Sequence, residues 1–193
     1  MMGPWLKEQM ADRALRRVRA SIAEQIPSDS SVLELGSGTG SLLRTLAPRI
    51  RRGVGIDASL PMVVLARKRA EQDGRHNLHF VHGDALQALA HEREPFDIAT
   101  ATLFIHAIDA SQRAEVLLAM RARSKTLWLV DFHPPRSFLR GLPVWVDETL
   151  AGHVQHYKSY IRAGCLEKLL PEAGFRVAES RPIAPALTLW NAT

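Results

Sequence analysis

The stretch Val32-Leu33-Glu34-Leu35-Gly36-Ser37-Gly38-Thr39-Gly40 decides the fold, because an apolar strand runs directly into three alternating glycines. A second apolar stretch, residues 53–56, ends on the carboxylate of Asp57. A glycine-rich turn after one strand and an acidic residue after the next are typical of a nucleoside pocket at the carboxyl edge of a parallel sheet. The sequence therefore predicts a site for an adenosine-containing cofactor.

The spacing of the glycines indicates which cofactor. A dinucleotide-binding turn reads G-x-G-x-x-G, but Ser41 occupies the place of its third glycine and Gly40 comes one residue early. Glu34 precedes the first glycine by two residues. A carboxylate is a poor neighbour for a pyrophosphate and a good one for a cation. The pattern therefore favours a positively charged ligand.

Glu34, Gly36, Gly38 and Gly40 fill the pattern [DE]-x-G-x-G-x-G, which resembles motif I of the class I S-adenosylmethionine (SAM)-dependent methyltransferases. SAM carries a sulfonium and an ammonium but no phosphate. The resemblance extends from about Ser31 onward and implies methyl transfer with S-adenosylhomocysteine (SAH) as product. The segment before the helix near Cys165 is similar to the substrate cap of small-molecule enzymes of the quinone-biosynthesis group.

The resemblance also implies the cofactor contacts. Asp57 would accept hydrogen bonds from the ribose hydroxyls, and Asp84 one from the adenine amine. Glu34 would accept from loop amides or, through water, from the ligand ammonium. Asp57 could instead cap a helix, and a core position is the favoured interpretation of Met62. The full set of expected cofactor residues is Glu34, Gly36, Ser37, Gly38, Gly40, Asp57, Ala58, Met62, Asp84, Ala85, Ala101 and Thr102.

The acceptor site has no single motif. Methyl transfer mostly requires alignment, and a general base is needed only if the acceptor must lose a proton. The stretch Ala101-Thr102-Leu103-Phe104 bears no likeness to the [DNS]-P-P-[YF] tetrapeptide of methyltransferases that act on base amines, which argues against such a substrate. His106 and Tyr157 are the predicted catalytic residues, although packing or surface roles remain open for each. The other histidines considered are His133, His153 and His156, and no metal site is predicted.

The composition narrows the classes of protein to which the chain could belong. The chain has 193 residues, 46% of them hydrophobic and 23% charged, as in an ordinary globular domain. No apolar run approaches the ~18 residues of a membrane span. Cys165 is the only cysteine, which fits a cytoplasmic location. A small organic molecule is the expected acceptor. The net charge of +5 leaves an RNA or protein methyltransferase as one alternative, and the other is a non-catalytic scaffold that keeps the SAM pocket but lacks an acceptor site.

Alternating strands and helices predict an α/β fold, a Rossmann-like doubly wound sheet that is mostly parallel and contains seven strands. The chain is expected to form one domain over residues 1–193, with an N-terminal helix within 1–30 and a substrate cap at 132–161. The expected strands are 31–35, 53–56, 77–81, 96–101, 126–131 and a C-terminal antiparallel hairpin of 175–179 and 186–190. The expected helices are 5–26, one around 42–50, 59–70 with Ser59 as its cap, 111–121 and 162–173.

Overall fold

The computed structural model describes residues 15–134, 154–184 and 186–193. Its helices are α1 (Arg16–Ala23), α2 (Ser41–Leu46), α3 (Leu60–Gln72), α4 (Ala85–His91), α5 (Arg113–Arg123), α6 (Val154–Arg162) and α7 (Cys165–Glu172), with a 3₁₀ turn at Ile105–Ala107. Its strands are β1 (Ser31–Leu35), β2 (Arg52–Asp57), β3 (Leu78–His82), β4 (Phe96–Thr102), β5 (Ser124–Phe132), β6 (Val177–Ala184) and β7 (Leu187–Ala192). None of the helices in these ranges is long and apolar enough to cross a membrane.

The seven strands form one sheet in the order β3-β2-β1-β4-β5-β7-β6. Strands β1 to β5 pair in parallel, whereas β7 runs antiparallel to both β5 and β6. The predicted seven-stranded, mostly parallel sheet with a C-terminal antiparallel hairpin is confirmed. The strand order reverses between β1 and β4, and ligands of such sheets bind at the carboxyl ends of the strands beside this reversal.

The central strand β1 is buried along its whole length, as expected for a parallel strand with both faces covered. At its amino end Ser31 donates two hydrogen bonds, from its amide and its hydroxyl, to one oxygen of Asp97 at 2.9 Å each. Lys125 donates to the other oxygen at 2.7 Å, and these contacts hold the pKa of Asp97 well below its usual range. Asp97 therefore ties strands together at the edge opposite the carboxyl ends.

Several predicted boundaries were wrong for identifiable reasons. The described part of the first helix ends at Ala23, because residues 24 and 25 form a turn. The helix expected over 162–173 is interrupted by Gly164, whose φ of +86° separates α6 from α7. Residues 181–184 belong to β6 instead of a turn, because they pair with β7 across a register shift.

Two helix starts rest on aspartates. Helix α4 was not predicted, and it begins where the Asp84 carboxylate accepts hydrogen bonds from the amides of Leu86 and Gln87, the usual N-cap arrangement. Ser59 is the residue before α3, as expected, but its side chain makes no capping hydrogen bond. The Ser59 amide instead donates to Asp57 Oδ1 at 2.8 Å.

Candidate cofactor and acceptor site

A cleft of about 410 Å³, counting space open to solvent, lies at the carboxyl ends of β1 to β4. The turns that follow these strands form most of its wall, and one face of α5 closes it. Its lining residues are Gly36, Ile56, Asp57, Ala58, Gly83, Asp84, Ala85, Leu86, Phe104, Ile108, Gln112 and Val116.

The three glycines of the β1 turn all have positive φ: Gly36 +66°, Gly38 +51° and Gly40 +71°. Residues with a side chain rarely adopt this conformation. A Cβ at Gly40 would lie 2.5 Å from the Phe80 ring, so this glycine packs the turn against β3. At Gly38 a Cβ would meet nothing within 4 Å. Gly38 therefore leaves open space beside the turn.

Asp57 joins the two elements that the sequence singled out. Its Oδ2 accepts from the Gly38 amide at 2.7 Å, and its Oδ1 from the Ser59 amide at 2.8 Å. The carboxylate therefore orients the glycine turn and also serves the helix start, which was the alternative role. A carboxylate has about four acceptor positions, so both oxygens retain capacity for ribose hydroxyls.

Glu34 lies behind the turn and is 4% exposed. Burial raises its pKa to about 8, the negative charge of Asp57 adds to the rise, and Arg19 and the Leu43 amide oppose it. Within the described structure its Oε2 has no hydrogen-bond partner. An orphaned carboxyl oxygen beside a second carboxylate suits an ammonium or sulfonium and disfavours a phosphate. The residues present therefore fit SAM.

Some predicted cofactor residues line the cleft and others stand behind it. Gly36, Asp57, Ala58, Asp84 and Ala85 are in the lining. Those that are not in the lining are Glu34, Ser37, Gly38, Gly40, Met62, Ala101 and Thr102. Met62 is 37% exposed, so the core interpretation of this residue was wrong.

The lining residues that sequence reasoning missed come mostly from the segment after β4. Phe104 packs over Gly36, where a Cβ would lie 2.7 Å from its ring. Gln112 and Val116 are one helical turn apart on α5, so their spacing indicates a shared face. Nothing in the sequence indicates that this face turns toward the cleft.

A second group of side chains, the His106 cluster, consists of His106, Asp131, Phe132, Tyr157 and Tyr160. The His106 ring lies 4.7 Å from Phe132, 6.3 Å from Tyr157 and 6.2 Å from Tyr160, centroid to centroid. All five residues are buried. The structure therefore brings the two predicted catalytic residues together.

Asp131, at the end of β5, is the acidic member of this cluster, and the sequence did not suggest it. Its Oδ1 lies 2.6 Å from Nδ1 of His106, and its Oδ2 accepts the His106 backbone amide at 3.1 Å. The residue is 1% exposed. An aspartate 25 residues from a histidine carries no local signal, since only the pairing of β4 with β5 places the two together.

Arg113 holds helix α6 over this cluster. Its Nη2 donates to the His156 carbonyl and the Ser159 hydroxyl at 2.8 Å each, and to the Ile108 carbonyl at 3.1 Å. Its Nε donates to the Ile105 carbonyl. The side chain is buried, so this clamp links α5, the 3₁₀ turn and α6 where solvent does not compete.

The remaining candidate residues lie outside the His106 cluster. The His133 ring lies 2.9 Å from the neighbouring Pro134 carbonyl oxygen, and His153 lies outside the described residues. Burial raises the pKa of Cys165 to about 12, so its thiol stays protonated and unreactive. In the part of the chain that the structure describes, no group of three or more histidine, cysteine or acidic residues could hold a metal ion.

Residues 32–126, just under half of the chain, match the family described as a methyltransferase domain. Over this stretch the chain is similar to known methyltransferase domains. The match runs from the start of β1 into β5, so it contains the glycine turn, Asp57, Asp84 and His106. Asp131 and helix α6 lie beyond it.

Known proteins resemble this chain over different lengths. YcgJ of Bacillus subtilis, an uncharacterised methyltransferase, is 29% identical over 110 residues, which cover 56% of this chain and 43% of YcgJ. A candidate methyltransferase from Bacillus halodurans has 25% identity and a TM-score of 0.66, covering 83% of this chain and 70% of its own. Magnesium protoporphyrin IX methyltransferase from Synechocystis, solved with SAH, has 20% identity and a TM-score of 0.66, covering 100% and 88%. At 20% identity, this likeness shows a shared fold and nothing further.

Proposed function

We propose that this protein transfers the methyl group of SAM to a small organic acceptor and releases SAH. The observation that carries the proposal is a pair of acidic side chains: Asp57 in the cleft wall, and Glu34 behind the glycine turn, whose raised pKa a bound cation would lower. When bound, SAM supplies an electrophilic methyl on a positively charged sulfur. Asp57 would hold the ribose, and the orphaned Oε2 of Glu34 would accept a hydrogen bond from the ammonium through water.

The buried character of the His106 cluster supports a small acceptor. His106 is 4% exposed and Tyr157 is 6% exposed, and α6 is clamped over them by Arg113. Side chains this deeply buried are more accessible to a small molecule than to a nucleotide within a folded RNA or a side chain of a folded protein. We further propose His106 and Tyr157 as the residues that contact the acceptor.

Ion pairs of several basic residues also support a small acceptor over RNA. Arg51 pairs with Asp97, Arg52 with Glu94, and Arg44 with Asp73. The charge of each of these arginines is partly neutralised by its partner, so they offer less charge to a polyanion than their number indicates. Likeness to the quinone-biosynthesis group, which the sequence analysis implied, remains part of this proposal.

The test uses SAM labelled in its methyl group, incubated with small-molecule, RNA and protein fractions separated from a cell extract. We expect label in the small-molecule fraction, with equimolar SAH, and loss of both in Asp57→Ala. Label confined to RNA or protein would overturn the small-molecule acceptor. SAH at ~100 times its dissociation constant should stabilise the protein by about 2.7 kcal/mol. If stabilisation occurs and no fraction becomes labelled, a scaffold role replaces the enzymatic one.

A further inference from the structure

We infer that Gln112 binds the adenine ring of the cofactor along the edge formed by its exocyclic amine and N7, and so makes the cleft specific for adenine over other purines. This inference rests on the proposed function, because it takes SAM as the ligand of the cleft. Gln112 is a residue that the sequence did not suggest for this site. Its role is to select the cofactor, and it takes no part in the methyl transfer itself.

Three of the described residues that line the cleft have polar side chains: Asp57, Asp84 and Gln112. As carboxylates, the two aspartates can only accept hydrogen bonds, whereas a carboxamide both donates and accepts. The other lining residues are glycines or apolar residues. Such walls suit the flat faces of a heterocycle, so the polar contacts of a base in this cleft fall on its edge.

The carboxamide of Gln112 is available to a ligand. The backbone of this residue is engaged, since its amide donates to the Asp109 carbonyl at 3.1 Å and its carbonyl accepts from the Val116 amide at 2.9 Å. Gln112 is half-buried and lines the cleft. No residue within 15–134, 154–184 or 186–193 forms a hydrogen bond with its side chain. A ligand that pairs with this carboxamide therefore displaces water and breaks no contact of the fold.

The start of α5 is tied down on both sides of Gln112, which fixes the position of this residue before a ligand arrives. On one side, Asp109 Oδ1 accepts from the amide and the hydroxyl of Ser111, at 2.8 Å and 2.6 Å. On the other side, the buried Arg113 donates to the Ile108 carbonyl at 3.1 Å. Binding therefore orders only the side chain of Gln112, and this lowers the entropic cost of the contact.

Gln112 and Asp84 lie at the starts of two helices that pack against each other. Asp84 caps α4 and Gln112 precedes α5, and both residues line the cleft. The Asp84 Oδ1 is occupied by the amides of Leu86 and Gln87, which leaves Oδ2 for one N–H of the adenine amine. The second N–H of that amine lies on the N7 side of the ring, and it needs another acceptor.

A carboxamide matches this side of adenine. The second N–H and the N7 lone pair lie next to each other, and the Oε1 and Nε2 of a glutamine pair with both at once, as in the readout of adenine in DNA. Hypoxanthine and guanine carry a carbonyl oxygen in place of the amine, so Oε1 of Gln112 would face a second acceptor. A carboxylate has no donor for N7. Among the described lining residues, Gln112 is therefore the side chain that can pair with both atoms.

The experiment measures, by calorimetry, the dissociation constants of SAH and of 7-deaza-SAH, in which a C–H group replaces N7 of the adenine. We expect the wild type to bind 7-deaza-SAH about tenfold more weakly, because the Nε2 donor then has no acceptor. Gln112→Leu should bind SAH about tenfold more weakly and bind both compounds equally. Gln112→Glu lacks the donor, so it should bind 7-deaza-SAH at least as tightly as SAH. Gln72→Leu, at an exposed position of α3, is the matched control and should keep the wild-type ratio.

The ratio of the two dissociation constants isolates the N7 contact, since a change in folding or in net charge affects both compounds alike. A readout independent of affinity is the ¹H–¹⁵N NMR signal of the Gln112 side-chain amide, which is assigned by its loss in Gln112→Leu or Gln112→Glu. We expect this signal to shift when SAH binds and to shift less with 7-deaza-SAH. Because the wild-type ratio is measured first and two variants are used, a variant that fails to fold leaves the inference testable.

The outcomes separate the inference from the proposed function. A wild type that binds SAH and 7-deaza-SAH equally has no donor at N7, and this result would overturn the role of Gln112 while SAM remains the cofactor. A Gln112→Leu variant that keeps the wild-type ratio would overturn it too, because another group would then contact N7. If the wild type binds neither SAM nor SAH, the proposed function itself fails, and the inference fails with it.

Discussion

At the scale of single residues, Glu34 has the environment with the largest consequence. Its carboxyl group is 4% exposed, and burial favours the neutral, protonated form over the charged one. Its pKa is raised from 4.5 to about 8. Between these values the native protein binds more protons than the unfolded chain, so the stability that Glu34 contributes is present below about pH 4.5 and is lost as the pH rises toward 8.

Replacing Glu34 with Gln removes this dependence. We expect the free energy of unfolding of wild type to fall relative to Glu34→Gln between about pH 5 and pH 8, by an upper limit of roughly 5 kcal/mol for the shift from 4.5 to about 8. Urea unfolding across this range measures it, with the exposed Glu71→Gln as control. Parallel curves for wild type and Glu34→Gln would contradict a buried, protonated Glu34.

Asp57 acts at the same scale but on the ligand. Asp57→Ala removes the acceptor of the Gly38 amide together with the expected ribose contacts, each charge-assisted bond being worth about 1.5–3 kcal/mol. We expect the dissociation constant of SAM to rise at least tenfold, while the cooperative unfolding transition persists. Calorimetry measures this, with Asp73→Ala, which loses only an exposed pair with Arg44, as control. An unchanged constant would refute the assignment.

At the scale of elements, the glycines of the β1 turn have different roles: Gly40 packs against Phe80, whereas Gly38 borders open space. Gly38 and Gly74 have similar positive φ values, +51° and +65°, and a Cβ at either would meet nothing within 4 Å. Alanine at each should cost a similar backbone strain, on the order of 1–2 kcal/mol. Only Gly38→Ala should also weaken SAM binding, by tenfold or more, because its methyl group would enter the open space beside Asp57. Gly40→Ala should destabilise most, because its Cβ would lie 2.5 Å from Phe80. Unfolding midpoints and SAM titrations measure both effects, and equal SAM affinity in the Gly38 and Gly74 variants would place the ligand elsewhere.

Helix α6 depends on a contact outside itself. Arg113→Lys keeps the charge but loses the planar group that reaches the His156 carbonyl, the Ser159 hydroxyl and the Ile105 carbonyl. We expect a loss of about 1–3 kcal/mol in stability and faster hydrogen exchange confined to α6 and the 3₁₀ turn. The exposed Arg17→Lys should change neither. Exchange that rises uniformly over the sheet would show that Arg113 supports the whole core instead.

At the scale of the whole molecule, much of the architecture was predictable, because the apolar runs, the turn residues and the helix-start residues all indicate the same strands and helices. Strand β1 is an apolar run followed by Gly36, and β2 is one that ends on Asp57. Helix α3 has a proline in its first turn. Boundaries were less predictable where one residue changes the chain direction. Gly164 divides what looked like one helix, and the capping carboxylate of Asp84 starts a short helix that periodicity did not reveal.

The sequence by itself determined the sheet, the glycine turn and the carboxylates Glu34 and Asp57, because these depend on spacing within a few residues of one strand. Only the tertiary structure decided that Asp131 meets His106, that the α5 face with Gln112 lines the cleft, and that Met62 lies in solvent. The physical reason is distance along the chain: pairing β4 with β5 joins residues 25 positions apart, and no local pattern encodes such a meeting.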